Sequence, residues 1–194
     1  MSNSTSRLLL CGVLLGSLLS LPAQPAAPAP PTAKANSSGG NSPHETTSAT
    51  IGGRNGPRVT LTYGRPLAKG RVVWGTLVPW NAAWRLGSDE ATTLITQQPM
   101  VIGETTIPAG VYTLYMVPSE KGVSKLAFSS ALGKWGIPVD ETKDIARVEL
   151  KKSSVDTPVE QLTLAIENDA ATGGSSLKIS WATTQFALPF TLKK

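Results

Sequence analysis

Histidine and cysteine are almost absent from this chain of 194 residues, which holds one of each, His44 and Cys11. Ser-His-Asp and Cys-His systems need an imidazole beside the nucleophile, and zinc or iron sites draw on His or Cys ligands. By their surroundings His44 falls in a polar N-terminal tether and Cys11 in an apolar leader. Both classes of chemistry are therefore nearly closed, and no metal or other cofactor is expected. Charge is scarce too, at 16% of residues, with 18 Lys plus Arg against 13 Asp plus Glu and a formal net charge of +5. That excess is scattered without a continuous stripe, so nucleic acid is not an expected partner. The Ala/Glu/Lys/Leu patterning of coiled coils and long bundles is missing. So is any repeat of about 20–50 residues that would mark a propeller or solenoid.

What is present begins with an address. Arg7 precedes the apolar run Leu8–Leu21. As a helix that run would span about 21 Å at ~1.5 Å per residue, short of the ~30 Å hydrocarbon core. One basic residue, a short apolar core, then prolines and small residues is the layout of a secretory signal peptide over 1–23, with cleavage as late as 35 also open. Leu8-Leu9-Leu10-Cys11 loosely resembles a lipobox. Leu10, however, stands where a small residue is usual, and the apolar segment runs on past the cysteine, so lipid anchoring at Cys11 is not expected. The expected location is the periplasm or the cell exterior, with no stable transmembrane anchor in the mature chain.

Residues 24–47 are mostly Pro, Ala, Ser, Thr, Gly and Asn, a composition that buries too little apolar surface to offset its ordering entropy. They read as a disordered linker. Every aromatic residue lies at or after Tyr63, and the folded domain is expected over 48–194, long enough for one core without disulfides or metals. Strand signals dominate there. Arg58–Tyr63 alternates polar and apolar residues, and the strand expected over Val159–Glu167 does the same at Leu162, Leu164 and Ile166. Further strands are expected over Thr92–Thr96, Met100–Ile102, Val111–Val117, Val123–Phe128, Ala146–Lys151, Leu177–Trp181 and Phe186–Leu192. Only Asn81–Leu86 and the Asp140-capped turn up to Asp144 argue for helix. The expected fold is all-β: an antiparallel β-sandwich, jelly-roll-like, of about nine strands with one or two short helical turns.

Three runs are distinctive together: Tyr63-Gly64-Arg65-Pro66, Gly70 to Trp80 (GRVVWGTLVPW), and Ala83 to Thr92 (AWRLGSDEAT). With Ile107 to Leu114, Lys134-Trp135-Gly136 and Asp144 to Val148, they resemble the exported bacterial proteins grouped as the domain of unknown function 2911 family. The likeness covers most of residues 48–192. It departs at Gly64, where Ser is usual, and at Asp89, where Asn is common. The resemblance implies an exported, mainly β domain and supplies no catalytic residue.

The residues themselves mark one polar-aromatic cluster containing Tyr63, Arg65, Arg71, Trp74, Trp80, Trp84, Arg85, Asp89 and Glu90. Flat aromatic faces beside guanidinium forks and carboxylates are what a sugar or peptide ligand needs. The bland alternative makes the tryptophans core and pairs Arg85 with Glu90 to fix a loop. If a ligand binds, Arg65, Trp84, Arg85 and Glu90 are expected at its centre, with Tyr63 and Trp80 as stacking walls. Two-carboxylate glycan hydrolysis needs acids roughly 5 or 6.5–9.5 Å apart. Adjacent Asp89 and Glu90 would diverge on a strand, so Glu90 would need a distant partner. Asp140-Glu141-x-x-Asp144 lacks the spacing and glycine of a calcium loop, and Gly52–Gly56 reads as a hairpin turn rather than a phosphate loop. The expectation is a non-catalytic binding or structural module of the cell envelope, with a glycan, peptide or envelope protein as partner. The alternatives are a carboxylate-dependent glycan hydrolase and a docking domain using an exposed strand edge such as Phe186–Leu192.

Overall fold

The computed structural model describes residues 42–169 and 173–193. The leader, Cys11 and the linker up to residue 41 lie outside the described residues. The strands are β1 (His44–Thr50), β2 (Arg58–Gly64), β3 (Thr92–Thr96), β4 (Met100–Ile102), β5 (Thr105–Ile107), β6 (Gly110–Val117), β7 (Ser124–Ser129), β8 (Asp144–Asp169) and β9 (Gly174–Leu192). They form one antiparallel sheet in the order β1-β2-β3-β6-β7-β8-β9-β4-β5. Among the described residues the sole helical element is a 3-10 turn, Glu141–Lys143. None of their helices is long and apolar enough to cross a membrane.

Period-two patterning explains which face is inside. Val59, Leu61 and Tyr63 of β2 are buried, while Thr60 and Thr62 between them are half-buried and exposed respectively. From the other end of the sheet come Leu162 and Leu164 of β8 and Leu177, Ile179, Trp181, Phe186, Leu188 and Phe190 of β9, all in the same core cluster. Each such side chain contributes about 1.5–3 kcal/mol by leaving water. β8 serves both parts: Asp144–Leu150 pairs with β7 and Lys151–Asp169 with β9, with register shifts between Ser154 and Val159 and between Val159 and Thr163. One core enclosed this way is compatible with the expected sandwich.

Nine strands were expected and nine are found, though they are not the same nine. Ala146–Lys151 and Val159–Glu167 merge into β8, and Leu177–Trp181 and Phe186–Leu192 merge into β9. The two additions are β1 and β5. β1 starts at His44, so the sheet takes in residues 44–47 and His44 is part of the fold, not of a tether. Backbone pairing from His44 opposite Gly64 to Thr50 opposite Arg58 does this, without an apolar face in HETTSAT to announce it.

Asn81–Leu86 is not helical. Asn81 and Leu86 have φ of 58° and 59°, and the N–H and C=O of Trp84 both bond to Met116 at 2.8 Å. A bridge to Met116 of β6 thus takes the groups a helix would have used. The capped turn is as expected: Asp140 Oδ1 accepts from the Thr142 N–H at 3.1 Å and from its hydroxyl at 2.6 Å. Phe186–Leu192 is not an open edge, because Phe186 and Ala187 pair with β8 while Thr191 and Leu192 pair with β4.

Candidate functional site

Residues 65–91 make an irregular excursion between β2 and β3, and its tryptophans lie against β9. Trp74 stacks on Trp80 at 6.0 Å and meets the edges of Trp84 and Phe186 at 5.8 and 5.1 Å. Trp84 in turn stacks on Trp181 at 5.9 Å. Hydrogen bonds fix the array: the Trp74 indole N–H donates to Trp181 O at 3.1 Å, and that of Trp181 to Glu160 O at 3.2 Å. Gly75 has φ of 87°, and a Cβ there would sit 2.6 Å from Trp80 Nε1, so the turn requires glycine. Lys152 Nζ lies 4.7 Å over the Trp80 ring.

The six residues expected at a ligand site separate. Tyr63 is buried at 1% exposure and cannot be a stacking wall. Its hydroxyl accepts from the Leu164 N–H at 2.9 Å and donates to Leu164 O at 3.4 Å, spanning the core from β2 to β8. Arg65 is a clamp. Its Nε donates to Leu162 O at 3.1 Å, its Nη2 to Thr163 Oγ1 at 3.0 Å, and its Nη1 meets the Glu45 carboxylate. One guanidinium so holds β1, the end of β2 and β8. Glu90 is exposed, and its carboxylate lies 2.9 Å from His44 Nε2. Trp80 is half-buried in the aromatic array.

Trp84 and Arg85 do come together, in a cleft of about 440 Å³ walled also by Arg71, Ser88, Trp181 and Ile137. Arg85 Nε donates to Gly87 O at 3.4 Å, and its guanidinium lies 5.4 Å from the centre of the Trp135 ring. No ion pair among the described residues involves Arg71 or Arg85. The Ser88 hydroxyl and Asp89 Oδ2 are buried without a hydrogen-bond partner among the described residues. Asp89 has φ of 61°, a left-handed conformation costing about 1 kcal/mol or more in a non-glycine residue. Gly64, the departure noted above, is forced locally, because a Cβ there would lie 2.1 Å from Ser88 O. Trp181 escaped the sequence reading because it sits in a strand far along the chain, and its period-two pattern marks it only as core.

The family model described as "Protein of unknown function (DUF2911)" matches residues 42–190. The chain belongs to this family. No curated protein and no solved structure matches it. In this DUF2911 domain the runs ending at Pro66, over Gly70–Trp80 and over Ala83–Thr92 reach the cleft. Gly136, with φ of 94°, brings the 131–139 loop so close that a Cβ would lie 2.9 Å from the Cβ of Arg85, and Trp135 beside it carries the Arg85 guanidinium.

The Asp144–Val148 motif of the DUF2911 domain has a different task. Tyr115 OH donates to Asp144 Oδ2 at 2.6 Å and accepts from Arg147 Nη2 at 2.7 Å, while Arg147 also reaches Asp144 and Glu141, each at 2.7 Å. Burial first, then the Asp144 carboxylate, pushes the Tyr115 phenol well above its ordinary range, so it stays protonated and is no nucleophile near neutrality. Its neighbouring hollow of about 610 Å³ is lined by Lys134, Trp135 and Lys143 among others.

No Asp, Glu, His or Cys is among the described residues lining the Trp84 cleft. A two-carboxylate hydrolysis has no acid or base there. Nor does any group of three or more His, Cys, Asp and Glu among the described residues have the placement to hold a metal. The arrangement can stack a flat face and donate hydrogen bonds to an acceptor.

Replacing Arg65 tests the clamp. Arg65→Ala is expected to cost about 2–3 kcal/mol in denaturant unfolding, below a fully buried pair because the side chains of Arg65 and Glu45 are 24% and 38% exposed. Arg65→Lys should recover under half, since a point charge cannot make the three divergent contacts. Unchanged stability in Arg65→Ala would refute the assignment.

Proposed function

We propose that this chain is an exported, non-catalytic ligand-binding domain of the bacterial cell envelope, taking a sugar ring into the cleft beside Trp84. The export half of the reading is supported by the leader over 1–23, whose apolar run is too short to span a bilayer. The binding half is carried by one observation. Trp84 is half-buried at a cleft of about 440 Å³ whose facing cation, Arg85, has no carboxylate partner among the described residues. Arg65 and Arg147, by contrast, have their charges matched by carboxylates of the fold. Aromatic area with an oriented, unsatisfied donor is the composition of a small-molecule site.

Arg85→Ala tests this directly. It should lower affinity for a bound oligosaccharide at least tenfold, read by tryptophan fluorescence across a panel of envelope and plant cell-wall oligosaccharides. Stability should move by no more than about 1 kcal/mol, because half-buried Arg85 makes one long hydrogen bond and one contact with the exposed Trp135 ring. Binding that survives Arg85→Ala, or no binding by any member of the panel, would count against the reading.

A further inference from the structure

The charge lining the cleft carries this reading further: we infer that the ligand is an acidic glycan, a chain of pyranose rings bearing carboxylates. The inference rests on the binding reading above. Arg71 and Arg85 both line the cleft, and no acidic residue is among its described lining residues. Each guanidinium is held from behind while keeping donors to spare. Arg71 is anchored by Nε to Ala68 O at 2.9 Å and by Nη2 to Leu67 O at 2.6 Å, leaving Nη1 without an acceptor among the described residues. Arg85 uses only Nε, at 3.4 Å, and is oriented by lying over Trp135. A guanidinium with a free edge presents N–H donors in the spacing of a carboxylate's two oxygens.

The basic lining does not stop at the cleft. Ser42, Pro66 and Arg71 are shared with an adjoining hollow of about 200 Å³, which adds Arg65 and Lys69 and again has no acid among its described lining residues. Arg65 is already neutralised by Glu45, whereas Lys69 is in no ion pair among the described residues. Arg85, Arg71 and Lys69 therefore form a track of cations that passes an aromatic platform. A neutral sugar would meet these cations with hydroxyl acceptors but leave their charge unmatched, and one isolated anion would engage only one of them. A ligand that repeats both a ring and a carboxylate serves the whole track.

The experiment is calorimetric titration of the protein with an oligogalacturonate and with the same oligomer after reduction of its carboxylates to neutral galactose units. The acidic oligomer should bind at least tenfold more tightly, with affinity falling as salt is raised. In Arg71→Gln/Arg85→Gln its affinity should drop to that of the neutral oligomer. Should the double variant not fold, Arg85→Gln alone should still narrow the gap several-fold, and the salt dependence needs no variant. Equal, salt-insensitive binding of both oligomers that Arg85→Ala removes would overturn the acidic-ligand inference and leave the binding reading standing. No binding by either oligomer would overturn the inference, and the wider panel above then decides the binding reading separately.

Discussion

Tyr63→Ala should lower the unfolding free energy by about 3–5 kcal/mol, and Tyr63→Phe by about 1–3 kcal/mol. The first figure is that of deleting a large aromatic side chain from a core that cannot close over the gap, since Tyr63 is 1% exposed among Leu61, Leu162 and Leu164 of one cluster. The second isolates the hydroxyl. Without it the buried Leu164 N–H loses the acceptor it meets at 2.9 Å, and a water has no obvious way in. A domain of this size has about 5–15 kcal/mol in total, so the alanine variant loses a large share. Denaturant titration of both variants separates the roles. If Tyr63 were a ligand wall, the alanine variant would lose binding and both variants would keep their stability. A phenylalanine variant as stable as the parent would mean that the hydroxyl bridge from β2 to β8 contributes nothing net.

That prediction turns on how little of the site's partition could be read from residue types. Tyr63, Arg65, Trp84 and Arg85 look alike in sequence, as aromatic and guanidinium groups in one signature run. What divides them is the path of β8. Leu162, Thr163 and Leu164 arrive beneath residues 63–65 from about a hundred positions away and take up the Tyr63 hydroxyl and the Arg65 fork. No local pattern encodes that meeting. Trp84 and Arg85 were legible as a pair because adjacent residues stay adjacent, whereas the Arg85–Glu90 pair of the structural alternative is not made: Arg85 turns to Gly87 and Trp135, while Glu90 meets His44.

The strands follow the same division. Thr92–Thr96 and Met100–Ile102 have the bounds expected of them, since alternation and flanking turns act within a few residues. β1 was invisible because HETTSAT offers no apolar face, and its place is fixed by β2 through the backbone. β8 and β9 were each read as two strands. Their polar middles, Lys152–Pro158 and Ala182–Gln185, look like loops, but long strands crossing from one part of a sheet to another carry bulges and solvent-facing stretches there.

The second large effect is a loss of stability at alkaline pH. The chain has three tyrosines, and all of them hold their phenolic protons more tightly than in water. Burial is the first cause in each. At Tyr63 the nearby Glu45 charge adds to it against the opposing Leu164 hydrogen bond and Arg65, and at Tyr115 the Asp144 carboxylate adds more than Arg147 removes. The unfolded chain releases these protons near pH 10, whereas the folded chain retains them. Folded protein then binds more protons than unfolded, so stability must fall as pH rises. The stabilisation is whole below about pH 10 and drains as pH climbs toward the folded values, at about 1.4 kcal/mol per pH unit for each tyrosine. The three losses have the same sign, so they add, and each ends where the pH passes that tyrosine's folded value. Near-ultraviolet tyrosinate absorbance should accordingly stay flat through pH 10 in the native protein and rise only with the loss of β circular dichroism. Tyr115→Phe should move that joint transition to higher pH, provided that Arg147 still pairs with Asp144 and Glu141. Tyrosinate appearing near pH 10 with the circular dichroism intact would show the phenols open to solvent, and would remove the buried Tyr63 and Tyr115 contacts as the ties between the strands they join.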